Sequence, residues 1–305
     1  MPTPALDPAL LEEAARLVRI EGLTQRAAAR QTGIGQGSLS KYLSEPDRHP
    51  GNTVSDDYEE IPVIYRDYSH LERLKVYPLG DVHIGAQAHD RRKWKSWVKW
   101  LADHEDTSMI GTGDFLNCAL KDSKSEAYDE TGHLGKLKRS LRDDLEPLAD
   151  RVDVLIPGNH EERVYRAIGD CPINDVADFI GAPYAKAAAV LVYKVGQVSY
   201  TLHLVHGFGG GTIGACVNQL QKRSQAIKAD VYVSGHTHKQ VTFPDEYHDI
   251  DVKGRKVVRR ARYYVSSGSF LRLEDYAARR SYSPARLGAP RITFDGGAWD
   301  VRVSV

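Results

Sequence analysis

The sequence predicts an α/β protein with a short all-helical segment in front of it. Three observations lead there. From Ile61 onward, apolar runs of strand length at 152–156, 189–195, 201–205 and 231–233 alternate with helix-like stretches. Residues 1–45 instead repeat apolar side chains at helical spacing. Between the two, residues 46–60 hold prolines, a glycine and acids but almost no large apolar side chains, which is the composition of a linker. The expected division is therefore 1–45, a linker over 46–60, and a main domain over 61–305.

In the front segment, Leu10, Leu11, Ala14, Leu17 and Val18 mark a first helix, with Asp7 as its cap and Pro8 in its first turn. Thr24 caps a second helix running through Ala29. Gly33 permits a tight turn, and a third helix follows from about Gln36 to Leu43. The placement of Gln25, Ala29, Gly33, Ile34, Leu39 and Leu43 resembles the helix-turn-helix of phage repressors. That resemblance implies a DNA partner, with the third helix in the major groove and Gln36, Ser38, Ser40 and Lys41 facing outward. A glutamine there can pair with adenine through two hydrogen bonds. From Thr24 to Leu43, no acid opposes Arg26, Arg30 and Lys41, whereas the first helix carries Glu12, Glu13 and Glu21. Motifs of this kind also contact proteins, so both partners stay open.

Composition bounds the rest. Lysine plus arginine number 41 and so do aspartate plus glutamate, so any basic surface must be local rather than global. The 41% hydrophobic content suffices for a large core. Cys118, Cys171 and Cys216 are few and unpaired in spacing, which suits a reducing compartment. The first residues lack a basic start and an apolar stretch, and no run approaches the roughly 18 apolar residues of a membrane span. The expectation is a cytoplasmic chain with no membrane partner.

The chemistry sits where apolar runs end. VYPLGDVHIG (76–85) ends in Asp81 and His83, which share a face if the chain is extended. Four further runs end alike, in Asp114, in Asn159-His160-Glu161, in His206, and in His236-Thr237-His238, each beside a glycine. The carboxyl edge of a sheet is where open α/β proteins build sites. Two carboxylates, one amide oxygen and four imidazoles, with no thiol among them, suit manganese, iron, zinc or nickel. Seven ligands exceed one tetrahedral ion and suit two ions sharing a carboxylate.

The ordered set D-x-H, G-D, G-N-H-E, H and G-H-x-H, spanning Asp81 to His238, resembles the calcineurin-like metallophosphoesterase family. The resemblance implies a four-layer α/β/β/α sandwich and two divalent ions, manganese being the first candidate. One ion would take Asp81, His83, Asp114 and His238. The other would take Asp114, Asn159, His206 and His236, with Asp114 bridging. A bridging hydroxide would attack phosphorus, and His160 would act as an acid or charge stabiliser. Glu161 stands where the family often has aspartate and would orient His160. Joined to a DNA-binding module, this implies a nucleic-acid phosphodiesterase. The alternatives are a phosphatase or phosphodiesterase on a small nucleotide or phosphoprotein, and a DNA-binding regulator whose second domain only senses metal.

Other features are read more plainly. His203 belongs to a strand interior and reads as a core or partner histidine, whereas His206 ends the run before glycine. GFGGG (207–211) lacks the lysine of a nucleotide P-loop and reads as a turn beside the metals, with Gly209 near substrate. Asn117 either contacts phosphate or caps a following helix. In the stretch 90–100, Trp94, Trp97 and Val98 stripe one helix face for the core, while the basic face opposite can guide a polyanion.

Overall fold

A computed structural model describes residues 8–19, 23–44, 61–120, 130–209, 212–252, 254–272 and 286–305. Asp7, residues 46–60 and the glycines at 210 and 211 lie outside that set, as does the Lys41 side chain. The chain divides into two compact units, 1–60 and 61–305.

The first unit holds α1 (Pro8–Arg19), α2 (Gln25–Thr32) and α3 (Gln36–Ser44). Thr24 Oγ1 accepts the Ala27 N–H at 3.2 Å, the capping bond expected of it. The helix continues three residues past Ala29 to Thr32 and stops at Gly33, whose φ of 73° is open to a residue without Cβ. Ala14, Ala15, Leu17, Ala28, Ala29, Leu39 and Tyr42 make its core. Four alanines let the helices approach closely, while Arg26, Arg30, Gln36 and Ser40 stay exposed and Ser38 is half-buried.

The second unit is built on two sheets. The five-stranded sheet has the order β11-β10-β2-β3-β4, from β2 (Arg73–Leu79), β3 (Thr107–Gly111), β4 (Val152–Leu155), β10 (Arg291–Asp295) and β11 (Val301–Ser304). Within it β2, β3 and β4 are parallel, and the expected C-terminal hairpin is β10 with β11. The six-stranded sheet has the order β1-β5-β6-β7-β9-β8, from β1 (Val63–Tyr68), β5 (Ala188–Val195), β6 (Val198–Val205), β7 (Val231–Ser234), β8 (Gln240–Asp251) and β9 (Lys256–Ser267). Strand alternation then builds four layers. Val76, Ile110 and Val154 face Leu191, Leu202, Val231 and Val265 between the sheets. Tyr77, Met109 and Leu155 face outward under α4 (Arg91–Ala102), α5 (Leu134–Leu145), α6 (Asn159–Ile168) and α7 (Pro172–Ile180). Tyr232 and Tyr264 face outward under α8 (Ile213–Ala226). In α4 the expected stripe faces the core, with Trp94 fully covered, Val98 buried and Trp97 half-buried, while Arg92, Ser96 and Lys99 are exposed.

A polar tie sits inside the apolar layer. Asp153 on β4 is fully buried and accepts from Arg66 Nε at 2.7 Å, Tyr68 at 2.7 Å and Tyr193 at 2.8 Å, joining the two sheets. Three charge-assisted bonds satisfy the carboxylate, which burial would otherwise penalise. The strands β2, β3, β4, β6 and β7 all end at one edge of this sandwich, and the candidate ligands follow each of them. Among the described residues no helix is long and apolar enough to cross a membrane.

Candidate metal centre

The loops after β2 and β3 extend the sheet hydrogen bonding. The Asp81 N–H donates to Gly113 O at 2.8 Å, and the Ile84 N–H donates to Phe115 O at 2.8 Å. The shared face expected of Asp81 and His83 arises differently from the extended-chain reading. β2 stops at Leu79, and the two residues have φ of 49° and 51°, in the left-handed region. They converge because the backbone turns, not because it is extended. Asp114, His236 and His238 share this conformation, with φ of 53°, 67° and 56°. Such backbone costs a non-glycine residue about 1–3 kcal/mol each, so the site concentrates strain that the surrounding fold must hold.

Asp114 lies at the centre and is fully buried. Its Oδ1 accepts the His160 N–H at 2.8 Å. Its Oδ2 faces His206 Nε2 at 3.3 Å and the Nε2 atoms of His83 and His160 at 3.9 Å each. On one side, Asn159 Oδ1 stands 3.1 Å from His206 Nε2 and 2.7 Å from His236 Nδ1. On the other, His238 Nε2 stands 3.2 Å from both Asp81 Oδ1 and His83 Nε2. Asp81 is itself fixed by the His236 N–H, 2.9 Å from Oδ2.

Backbone carbonyls set the tautomers of three rings. His206 Nδ1 donates to Thr112 O at 2.7 Å, His160 Nδ1 to Asn117 O at 2.6 Å, and His236 Nε2 to Gly209 O at 3.2 Å. A carbonyl only accepts, so each of those nitrogens carries a hydrogen, and in the neutral ring the other turns a lone pair inward. The inward atoms therefore face oxygens and nitrogens that are also acceptors. Lone pairs at 2.7–3.3 Å repel one another unless a cation lies among them. Neighbouring ligands of one ion, with bonds near 2.1 Å, are spaced by about 3.0–3.4 Å, close to what is found. The donor set thus fits divalent metal. Three groups converge within 4.8 Å: Asp81-His83-His238, His83-Asp114-His160 and Asp114-His206-His236. They are chained through His83 and Asp114.

Charge follows the same plan. Burial alone would raise the Asp114 carboxyl, but His206, then His160 and His83, hold it well below the usual carboxylate range. Burial would lower His206, yet the Asp114 carboxylate pushes it up to about 10, so without a metal a proton occupies its inner nitrogen and meets the charge of Asp114 that an ion would otherwise meet. Burial pulls His83 well down and lowers His160 and His236.

Glycines let the loops touch. A Cβ on Gly158 would fall 2.1 Å from Asp114 Oδ1, and one on Gly113, with φ of 91°, would fall 2.6 Å from Gly158 N. Only hydrogen fits between these two loops.

All seven expected ligands come together at this edge. Glu161, expected to orient His160, bonds the backbone around that residue rather than its ring. Its carboxylate is fully buried and accepts three backbone N–H groups, from Leu116 at 2.8 Å, Gly158 at 2.8 Å and Asp114 at 3.0 Å. The extra methylene, relative to aspartate, carries it past His160 to the loop after β3. Burial, then the charge of Asp114, pushes this carboxyl up to about 7. Asn117 is at the site through its backbone carbonyl, which orients His160; residues 118–120 after it form loop, so of the two alternatives the capped helix does not follow it. Gly209 also meets the site through its carbonyl. His203 is buried away from the cluster, edge-on to Tyr232 at 6.1 Å, and burial drops it to about 4. The four outward residues of α3 belong to the other unit. The orienting carbonyls of Thr112, Asn117 and Gly209 escape sequence reading, because a carbonyl has no residue signature.

No protein-family model matches the chain. No curated protein matches it. Among solved structures, it is similar to a predicted phosphoesterase from Streptococcus pneumoniae, at 13% identity and TM-score 0.35, covering 76% of this chain and 88% of that one. It is also similar to zinc-complexed Vps29 from Entamoeba histolytica, at 15% identity and TM-score 0.36, covering 76% and 98%. A metallophosphoesterase from Sphaerobacter thermophilus is similar at 14% identity and TM-score 0.37, covering 75% and 87%. With scores this low, the chemistry of the chain must be read from its own residues.

Glu161→Ala should strand three buried N–H groups and cost about 3 kcal/mol or more. Denaturant unfolding measures this, and metal affinity should fall with it because Asp114 loses its backbone anchor. A variant as stable as the parent would show that the carboxylate is dispensable.

Proposed function

We propose that residues 61–305 form a metal-dependent phosphoesterase. The observation that carries this reading is the convergence of inward lone pairs around Asp114, with His160 beside them but oriented by a separate carbonyl. Asp81, His83, Asp114 and His238 would hold one ion, and Asp114, Asn159, His206 and His236 a second. Manganese is the first candidate, with iron, zinc or nickel as alternatives for a thiol-free, imidazole-rich set. Ions held there would neutralise phosphoryl oxygens and supply a nucleophile at neutral pH.

The chain's own groups do the rest. Asn117 O keeps the proton of His160 on Nδ1, so Nε2 is the atom turned to the substrate. Once protonated there, it can give that proton to the leaving oxygen. The His160 backbone N–H holds Asp114 Oδ1, which leaves Oδ2 for shared use. The sharp loop around Gly158 thus positions both the acid and the bridging carboxylate.

The favoured substrate is a nucleic-acid phosphodiester, with the three-helix unit delivering the enzyme to DNA. Gln36 and Ser40 are exposed on α3, and Thr24, Arg26, Arg30 and Gln31 line a shallow depression along α2. The pattern suits phosphate contact from α2 and base contact from α3.

Side-by-side turnover of an aryl phosphodiester, an aryl phosphomonoester and DNA, with metal supplied, tests the reading; turnover of none would end it. His160→Ala should lose about 10²–10⁴-fold on poor leaving groups and less on nitrophenolate, which needs no proton. Equal losses would mean that His160 acts on the phosphoryl oxygens instead.

Removal of residues 1–60 should weaken DNA binding and cleavage, flatten their salt dependence, and leave aryl phosphodiester turnover nearly unchanged. Unaltered DNA affinity would move a small nucleotide or phosphoprotein to first place as substrate.

A further inference from the structure

Beside the metal edge, a cavity of about 270 Å³ lies over the outer face of the five-stranded sheet. Its volume is just under the roughly 300 Å³ at which small-molecule pockets begin, so it has room for part of a nucleotide. Lys93 from α4, Arg286, and Arg291 from β10 line it, together with Gln240, Trp97 and Tyr77. No acidic side chain among the described residues lines it. The three cations are exposed, and none makes an ion pair among the described residues.

The neighbouring surface argues that this is not ordinary solvated charge. Across Arg291, the same sheet face carries Arg73, Lys75 and Arg302. Each of those is neutralised, Arg73 by Asp295 at 3.1 Å, Lys75 by Asp106 at 2.5 Å and Arg302 by Asp300 at 2.7 Å. Within the cavity, no acidic side chain among the described residues opposes Lys93, Arg286 and Arg291.

The segment from Ser267 to Phe270 connects the metal centre to residues that line the cavity or adjoin its lining. On one side Ser267 Oγ lies 3.5 Å from Asp81 Oδ2, and the Phe270 N–H donates to Asp81 O at 3.0 Å. On the other side, a Cβ on Gly268 would fall 2.5 Å from Gln240 Cγ, and the Gly288 N–H donates to Ser269 O at 3.0 Å. Gln240 is two residues past the ligand His238, and Tyr77 is four residues before the ligand Asp81. Trp97, which lines the cavity, packs edge-on against Tyr77 at 5.6 Å and Phe270 at 6.2 Å.

We infer that this cavity is a subsite for a flanking phosphate of a nucleic-acid strand whose scissile phosphate lies at the metals. The inference rests on the phosphodiesterase reading of the same edge and adds the direction in which the strand leaves it, past His238 and Gln240. Lys93, Arg286 and Arg291 supply charge to the phosphate, and the Gln240 amide, already donating to Arg286 O at 3.3 Å, fixes the rim.

The test compares the full chain with Lys93→Gln and with the double variant Lys93→Gln/Arg291→Gln. Each is assayed on a single-stranded hexanucleotide and on an aryl phosphodiester that has one phosphate and cannot reach the cavity. The double variant should lose about tenfold in kcat/KM on the hexanucleotide, given the strength of charged hydrogen bonds. Its aryl phosphodiester turnover should match the parent's. Lys93→Gln, at an exposed helix position, should keep parental stability and show part of the loss. Parental activity of both variants on the hexanucleotide would overturn the subsite and leave the phosphoesterase intact. So would equal losses on both substrates, which would indicate damage to the fold. A parent chain that hydrolyses the aryl diester but not the hexanucleotide would also overturn it. A parent that hydrolyses neither would overturn the proposed function and the subsite together.

Discussion

Everything at the sheet edge depends on the Asp114 carboxylate. One oxygen is spent on the His160 N–H, and the other is left facing three imidazole nitrogens. Three of the surrounding rings have their outer nitrogens tied to carbonyls, so in the neutral rings the inner nitrogens offer lone pairs. An arrangement of acceptors facing acceptors in a buried site is unfavourable by itself. It becomes favourable when positive charge is added. The fold therefore stores an electrostatic demand at one point, and the two sheets, the glycine contacts and the left-handed turns serve to keep it there.

Glu161 and Asp153 show how that demand is contained. Each is a fully buried carboxylate with its oxygens satisfied, but with opposite tasks. Asp153 ties the sheets together through Arg66, Tyr68 and Tyr193. Glu161 ties the loop after β3 to the start of α6, and so holds Asp114 and His160 in one frame. A long carboxylate reaching three amides is stiffer than a helix cap to a single N–H. This makes Glu161 a positioning residue rather than a catalytic one.

Much of this was legible in the sequence, for physical reasons. Buried strands read as apolar runs, and a ligand at a strand end interrupts such a run beside glycine. That made Asp81, His83, Asp114, Asn159, His206, His236 and His238 visible. Asp81 and His83 were found by an argument from extended chain that their φ angles do not obey. Strands β8 and β9 were not visible, because Pro244 and the charged residues along the hairpin look like loop. They are strands through their twelve-residue mutual register rather than through local preference. The work of Glu161 was hidden because its partners, Asp114 and Leu116, lie 47 and 45 residues away. The cavity of Lys93, Arg286 and Arg291 was hidden for the same reason, since segments near residues 77, 93–97, 240, 286–291 and 304–305 build it.

The central claim is that the converging lone pairs exist to hold cations, shared through Asp114. Elemental analysis of the purified full chain after metal loading and exhaustive dialysis, set beside Asp114→Ala, tests it most directly. The account predicts two divalent ions per chain in the parent and at most one in the variant. A parent that retains none, or a variant that retains as many as the parent, would contradict it.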